Sequence, residues 1–235
     1  MCHEKTPAIF PSLEPAERIT GEISGYRYVG RRGGPRLAVL PDIYGCNEFY
    51  RGYASYLAEL GAGEVLLINP FEAHGELEVV TRETAFARRD KISDRAFVDA
   101  FVDFSKRSDL QGVVGFCLGG LYVFELARRQ AVDRLVAYYP FPQGLKNQEP
   151  LDKPFDYLES VTAKHLVLVG DRDPLLGEEN LTRLRSVSSS NHALVLHVAP
   201  GASHGFLGDL SSEDPERVAV AREALAVGST ALFAH

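Results

Sequence analysis

Short apolar runs alternate along the chain with longer stretches whose apolar residues recur every three to four positions. RLAVLP (36–41), EVLLIN (64–69), QGVVGF (111–116), RLVAYY (134–139), HLVLVG (165–170) and ALVLHV (193–198) show little polar alternation. Such runs fit strands buried on both faces, as in a parallel sheet. ISGYRYV (23–29) reads as an edge strand, and Gly33, Gly34 and Pro35 mark a turn. EFYRGYASYLAEL follows Asn47, a good N-cap, and stops at Gly61, which predicts a helix. Residues 77–90 and 94–107 read as two helices split near Ser93, and further helices fall at Leu118–Arg129 and near 178–187. A last helix takes Asp214 as N-cap and Pro215 at its first position. Residues 1–20 are proline-rich and predict an irregular lead-in.

Strands that alternate with amphipathic helices predict an α/β fold, a mostly parallel sheet covered on both faces. With 235 residues and 45% apolar content, one domain spanning 1–235 with a sizeable core is expected. Ligands of such sheets bind beyond the carboxyl ends of the strands, so the residues that follow each strand carry the chemistry.

Charge narrows the partners. The net charge is −7 with both signs dispersed, without a basic block for nucleic acid or an acidic tail. An anionic substrate would need local cationic help. No stretch of eighteen apolar residues is present, and the first residues lack the layout of a signal peptide. The three cysteines, Cys2, Cys46 and Cys117, cannot all pair and match no zinc spacing. Reduced thiols in a cytoplasmic protein are the simplest expectation.

The run at 111–116 ends in Gly115-Phe116-Cys117-Leu118-Gly119, the Gly-x-nucleophile-x-Gly corner with sulfur in place of a serine oxygen. A turn that sharp needs small flanking residues. It also sets the side chain at a helix N-terminus, where partial positive charge favours a thiolate. A free thiol has a pKa of about 8.5, and lowering it to about 7 takes about 2 kcal/mol, within reach of a helix end and an imidazole together. The structural alternative is a small buried cysteine between glycines that permit close packing. After the run at 165–170 stand Asp171 and Asp173, either able to orient a histidine, with Asp173 preferred because Pro174 fixes the turn behind it. An Asx-turn is the structural alternative. After the last strand, His204 lies in a loop between Gly201 and Gly205. His3, His74, His165, His192, His197 and His235 carry little weight, His74 the most because it too follows a strand. What decides is the order nucleophile, acid, histidine, each just past a strand, which is the chain order of the α/β-hydrolase fold.

At these residues the chain resembles the dienelactone hydrolase family of α/β-hydrolases, from about residue 20 to about residue 230. The resemblance implies hydrolysis of an enol-lactone by a Cys-His-Asp triad, here Cys117, His204 and Asp173, with no metal or organic cofactor. Pro41-Asp42-Ile43-Tyr44-Gly45-Cys46-Asn47 matches a second family stretch. It implies that Asp42, where the family usually has glutamate, modulates the nucleophile. It also implies an oxyanion hole from the N–H groups of Ile43 and Leu118. Arg82-Glu83-Thr84-Ala85-Phe86 resembles the stretch whose arginine grips a substrate carboxylate, although a solvated helix arginine fits equally well. The second arginine that the family often has after the histidine is missing from His204-Gly205-Phe206-Leu207-Gly208. Arg89 replaces an aromatic, and Arg88 and Arg89 are candidates to compensate. Tyr139 and Phe206 complete the candidate substrate-binding set, with one of Tyr138 and Tyr139 expected in the core, and Cys46 is expected to pack.

The expected function is therefore opening of a lactone, or cleavage of a small carboxylic ester, through an acyl-thioester on Cys117. The substrate is a small molecule, and neither nucleic acid nor membrane is a partner. The alternative is a non-catalytic binding or sensor protein on a hydrolase scaffold. A redox-active thiol protein is disfavoured, because no second cysteine sits at resolving distance from Cys117 in sequence.

Overall fold

The computed structural model describes residue 3, residues 9–10 and residues 14–234. Cys2 and His235 lie outside the described residues, as does most of the first half of the lead-in. The strands are β1 (Glu17–Ile19), β2 (Gly25–Val29), β3 (Arg36–Leu40), β4 (Glu64–Ile68), β5 (Gly112–Phe116), β6 (Arg134–Tyr138), β7 (His165–Gly170) and β8 (Leu194–Ala199). The helices are α1 (Glu48–Leu60), α2 (Arg82–Arg89), α3 (Asp94–Arg107), α4 (Leu118–Arg128), α5 (Glu178–Ser190) and α6 (Pro215–Phe233). The sheet order is β1-β2-β4-β3-β5-β6-β7-β8, with β1 and β2 antiparallel and the strands from β4 to β8 mutually parallel.

The periodicity locates these elements closely, with departures at both edges of the sheet and at one helix: β2 is not the edge strand expected, because β1 pairs outside it, and β8 is a part-exposed edge strand rather than one buried on both faces. The lead-in contains a short strand, β1, paired with β2 from Glu17 against Arg27. The first helix of the pair after β4 starts at Arg82 rather than near residue 77. Thr81 caps it, with its side chain and that of Thr84 closing a reciprocal box. That box ties up the first turn's orphan N–H groups, so the helix begins there. Asn47, Ser93 and Asp214 cap α1, α3 and α6 through their side chains.

Two apolar layers flank the sheet because successive strand residues point to opposite faces. Leu37, Val39, Val114 and Phe116 pack with α1 and α6, whereas Ala38, Leu40 and Val113 pack with the layer beneath α3, α4 and α5. After β3 the chain moves outward to β4, then returns to β5 on the other side of β3. The reversal opens a crevice beyond the carboxyl ends of β3 and β5. The loop at 41–47 and the corner at Cys117 both emerge there. Among the described residues, no helix is long and apolar enough to cross a membrane.

The corner itself is tight. A Cβ on Gly115 would lie 2.1 Å from the Gly119 carbonyl oxygen, and one on Gly119 would lie 2.1 Å from that of Leu40. Both obstacles are backbone, so they cannot rotate aside. Gly119→Ala is therefore expected to destabilise the fold by about 3 kcal/mol or more, at the upper end of overpacking costs. Denaturant unfolding monitored by circular dichroism measures it, and a loss under about 1 kcal/mol would contradict this reading of the corner.

Candidate active site

Cys117 joins β5 to α4 with φ 53° and ψ −106°, a conformation that a residue with a Cβ rarely takes. Two hydrogen bonds hold it there: Cys117 N–H donates to the Tyr138 carbonyl at 3.0 Å, and Gly119 N–H to the Pro41 carbonyl at 3.1 Å. The corner is thus tied to the ends of both neighbouring strands. Leu118 is the first residue of α4, and the first N–H groups of a helix have no partner within it.

Asp173 follows β7, and its Oδ1 accepts the N–H groups of Leu175 and Leu176 at 2.8 and 3.2 Å. This is the Asx-turn named above as the structural alternative, yet it leaves Oδ2 available to the histidine. His204 Nδ1 lies 2.7 Å from Asp173 Oδ2, with both side chains buried. An ionised carboxylate accepts from Nδ1–H and so leaves Nε2 as the imidazole's basic nitrogen. Asp171, the second choice, accepts from Gly201 N–H at 2.7 Å and only braces the loop that carries the histidine.

Cys117 and His204 border the same cavity of about 170 Å³. That is below the roughly 300–1,000 Å³ usual for drug-sized ligands, so the cavity suits a small substrate. Ile43, Tyr44, Phe86, Phe141 and Leu175 give it apolar walls, and Arg82 stands at its rim. Arg82 and Phe86 sit one turn apart on α2, with the guanidinium carbon 5.5 Å from the Phe86 ring centroid. Among the described residues, no group of three or more His, Cys, Asp or Glu side chains could hold a metal ion.

The other candidates fall elsewhere. Arg89 is buried in an ion pair with Asp94 at 2.6 Å, and Asp94 also accepts the Tyr122 hydroxyl at 2.7 Å. Arg88 donates to the carbonyls of Ile43 and Gly75 at 3.0 and 3.1 Å and lies over the Phe71 ring. Both arginines point into the protein and do not line the cavity. Arg88 instead braces the loop that holds Ile43. Tyr138 stacks on Phe116 and donates its hydroxyl to the Ala224 carbonyl at 3.0 Å. Tyr139 is also fully buried, its ring edge-on to those of His204 and Phe206. Tyr139 and Phe206 therefore back His204, and neither is among the cavity-lining residues. Burial pushes the Cys46 thiol far above its usual range, which fits a packing role. His74 is exposed.

Asp42 is fully buried just past β3. Its Oδ1 accepts Tyr44 N–H at 2.8 Å and its Oδ2 accepts the main-chain N–H of His3 at 2.9 Å. Desolvation outweighs these bonds and pushes its pKa up to about 6. His3 is the residue at this site that the sequence did not mark. Its ring stacks on Phe49, with centroids 3.6 Å apart, and its Nε2 meets the Tyr139 hydroxyl at 2.5 Å.

Known proteins resemble this chain along most of its length. Residues 33–230 match the model of the dienelactone hydrolase family. The chain is 59% identical to carboxymethylenebutenolidase 2 of Cupriavidus pinatubonensis over 99% of both chains. It is 29% identical to a carboxymethylenebutenolidase of Rhodococcus opacus over 95% of this chain and 92% of that one. Among solved structures, a Klebsiella pneumoniae protein superposes with a TM-score of 0.77 at 21% identity, covering 91% of this chain and 93% of the other. An esterase of Pyrobaculum calidifontis superposes at 0.63 and 17% identity, covering 96% and 88%.

The Asp42 carboxyl has a stability consequence. A carboxyl whose folded pKa is about 6 against 3.8 binds more protons folded than unfolded between those values. Stability must then fall as pH rises through that window and stay lower above it. Asp42→Asn removes the titration. Relative to wild type, the variant should gain about 2 kcal/mol between about pH 4 and about pH 7, whatever its offset at low pH. Urea unfolding at several pH values measures the difference, and a flat difference would contradict the buried, strained ionisation of Asp42.

Proposed function

This chain belongs to the dienelactone hydrolase family, and from that membership we propose that it opens a small, carboxylate-bearing lactone through a thioester on Cys117. Hydrolysis of a carboxylic ester bond within a lactone is the activity that the family and the carboxymethylenebutenolidases share by name. That likeness favours hydrolysis over the binding-only alternative. The observation that carries the finer reading is the convergence of three chain-distant elements on one cavity: the strained Cys117 corner, the His204–Asp173 pair, and Arg82 at the rim.

The reaction runs in two halves. The Cys117 thiolate adds to the lactone carbonyl carbon, and the carbonyl oxygen takes the negative charge. The N–H groups of Ile43 and Leu118 receive that charge, a contribution worth about 3 kcal/mol per donor in comparable sites. The ring C–O bond then breaks, and the departing oxygen takes the proton that His204 had removed from the thiol. The product stays attached as a thioester, tethered through its own chain. In the second half, His204 removes a proton from water as the water attacks the thioester. The thiolate leaves and takes that proton back from His204, and the ring-opened acid is released as its carboxylate, with its own proton lost to water. Asp173 fixes the His204 tautomer and balances the imidazolium that forms in each half.

Asp42 enters as a brake. Above about pH 6 its carboxylate is charged, and a negative charge near the thiol opposes its ionisation. Its carboxyl is held in place by the N–H groups of Tyr44 and His3. Arg82 supplies the cationic help that a chain of net charge −7 needs to hold an anionic substrate.

Two substitutions test this. Cys117→Ala should reduce lactone turnover to below about 10⁻³ of wild type, the scale seen when a nucleophile is removed. Retention of more than about a tenth of the rate would exclude the thiol mechanism. Arg82→Ala should raise KM about tenfold or more for a lactone with a free carboxylate and leave neutral esters within about twofold. An equal effect on both substrates in steady-state assays would remove the carboxylate role.

A further inference from the structure

We propose that His3 is a positioning residue of this site. Its main chain anchors Asp42, its ring anchors Tyr139, and through Tyr139 it steadies the imidazole of His204. The proposal rests on the thiol-lactonase reading above and adds the N-terminal end of the chain to its working parts.

Three polar groups of His3 are tied to different residues of the site. Its N–H donates to Asp42 Oδ2 at 2.9 Å, in the loop after β3. Its carbonyl accepts from Asn47 Nδ2 at 2.8 Å, and Asn47 is also the N-cap of α1. Its Nε2 meets the hydroxyl of Tyr139, the residue that follows β6, across 136 positions of sequence. The ring is sandwiched in place by Phe49, parallel at 7°, and by Tyr50, perpendicular at 88°. A buried imidazole costs free energy unless its nitrogens are bonded, so an apolar residue would fill this slot more cheaply if packing were the only demand.

Tyr139 carries the effect onward. It is a non-glycine residue at φ 39°, which needs outside support to persist. Its ring meets the His204 ring edge-on at 5.1 Å. The groups that face Asp42 and His3 are Tyr44 N–H, Tyr50 from α1, Tyr139 after β6 and His204 after β8, with the Arg88 charge from α2 also felt at Asp42. Burial first, and His204 second, hold the His3 ring well below its ordinary pKa. His3 is therefore neutral in the working range and does not compete with His204 for the proton. It acts by hydrogen bonding alone.

The test uses His3→Phe, which keeps the stack on Phe49 and removes the bond to Tyr139, and His3→Gln, which restores a polar partner. His3→Phe should lower kcat about tenfold while KM stays within about threefold, the mark of misaligned chemistry rather than weaker binding. His3→Gln should recover most of the loss. Tyr139→Phe should fall similarly, and the double variant His3→Phe/Tyr139→Phe should be no slower than Tyr139→Phe alone. A second readout needs no turnover: iodoacetamide labelling of Cys117, followed by peptide mass from about pH 5 to about pH 9, should shift its midpoint in His3→Phe and return in His3→Gln. A His3→Phe protein with wild-type kcat and labelling midpoint, or losses that multiply in the double variant, would overturn the proposal. A lowered melting temperature with unchanged kcat would also overturn it, leaving only a packing role. If the wild-type enzyme opened no lactone, the catalytic reading would fail separately, and the labelling shift would still decide the part played by His3.

Discussion

The site depends on a stretch of backbone that cysteine does not adopt unaided. Cys117 sits at φ 53° and ψ −106° between a buried strand and a buried helix. Strain of this kind costs on the order of 1–3 kcal/mol and persists only where the surroundings over-determine it. Here the surroundings are hydrogen bonds to the ends of β6 and β3, and two glycines whose absent side chains let α4 close onto β3 and β5. The strain has a chemical return. It sets Cys117 on the cavity wall at the N-terminal end of α4. Relaxing the corner would move the sulfur away from that position.

Around that corner the charges are arranged in layers. Innermost are groups kept out of water: Asp42, the His204–Asp173 pair, and the neutral ring of His3. Their hydrogen bonds run to main-chain N–H groups, to one another and to buried side chains such as Tyr139, so the site is built from fixed dipoles with little to reorganise. Further out stands Arg82, exposed at the rim, where an anionic substrate would arrive. Arg88 and Arg89, adjacent in the last turn of α2, spend their charge on carbonyls and on Asp94. One short helix thus presents Arg82 and Phe86 to the cavity and braces the scaffold through its last turn.

Much of this was legible in the sequence. Buried parallel strands announce themselves as unbroken apolar runs, and ligands of such a sheet bind past strand ends, so chain order alone picked out Cys117, Asp173 and His204 as candidates, which the fold brings to one cavity and one hydrogen-bonded pair. Helix phase helps only in part: Arg82 and Phe86 share one face of α2, and Ala85 and Arg88 are buried away from it. Arg89 lies seven positions from Arg82 on the same side of the helix, so spacing does not separate the two, and its burial comes from the ion pair with Asp94. Three features were out of reach. β1 is too short to show periodicity and exists only as a partner for β2. Tyr139 follows a strand as expected, but its ring turns behind His204, a direction set by its positive φ and by contacts with Phe206 and His3. His3 itself lies in a stretch without regular pattern, and its place is fixed by partners 39 and 136 residues away.

The account stands or falls on covalent attachment of substrate to sulfur. Rapid acid quench of the enzyme during lactone turnover, followed by peptide mass analysis, tests this most directly. Ring opening expels no fragment, so the peptide containing Cys117 should gain the full mass of the lactone and lose it again as substrate is exhausted. Steady turnover with an unmodified Cys117 peptide at every quench time, together with an adduct on another residue, would contradict the account.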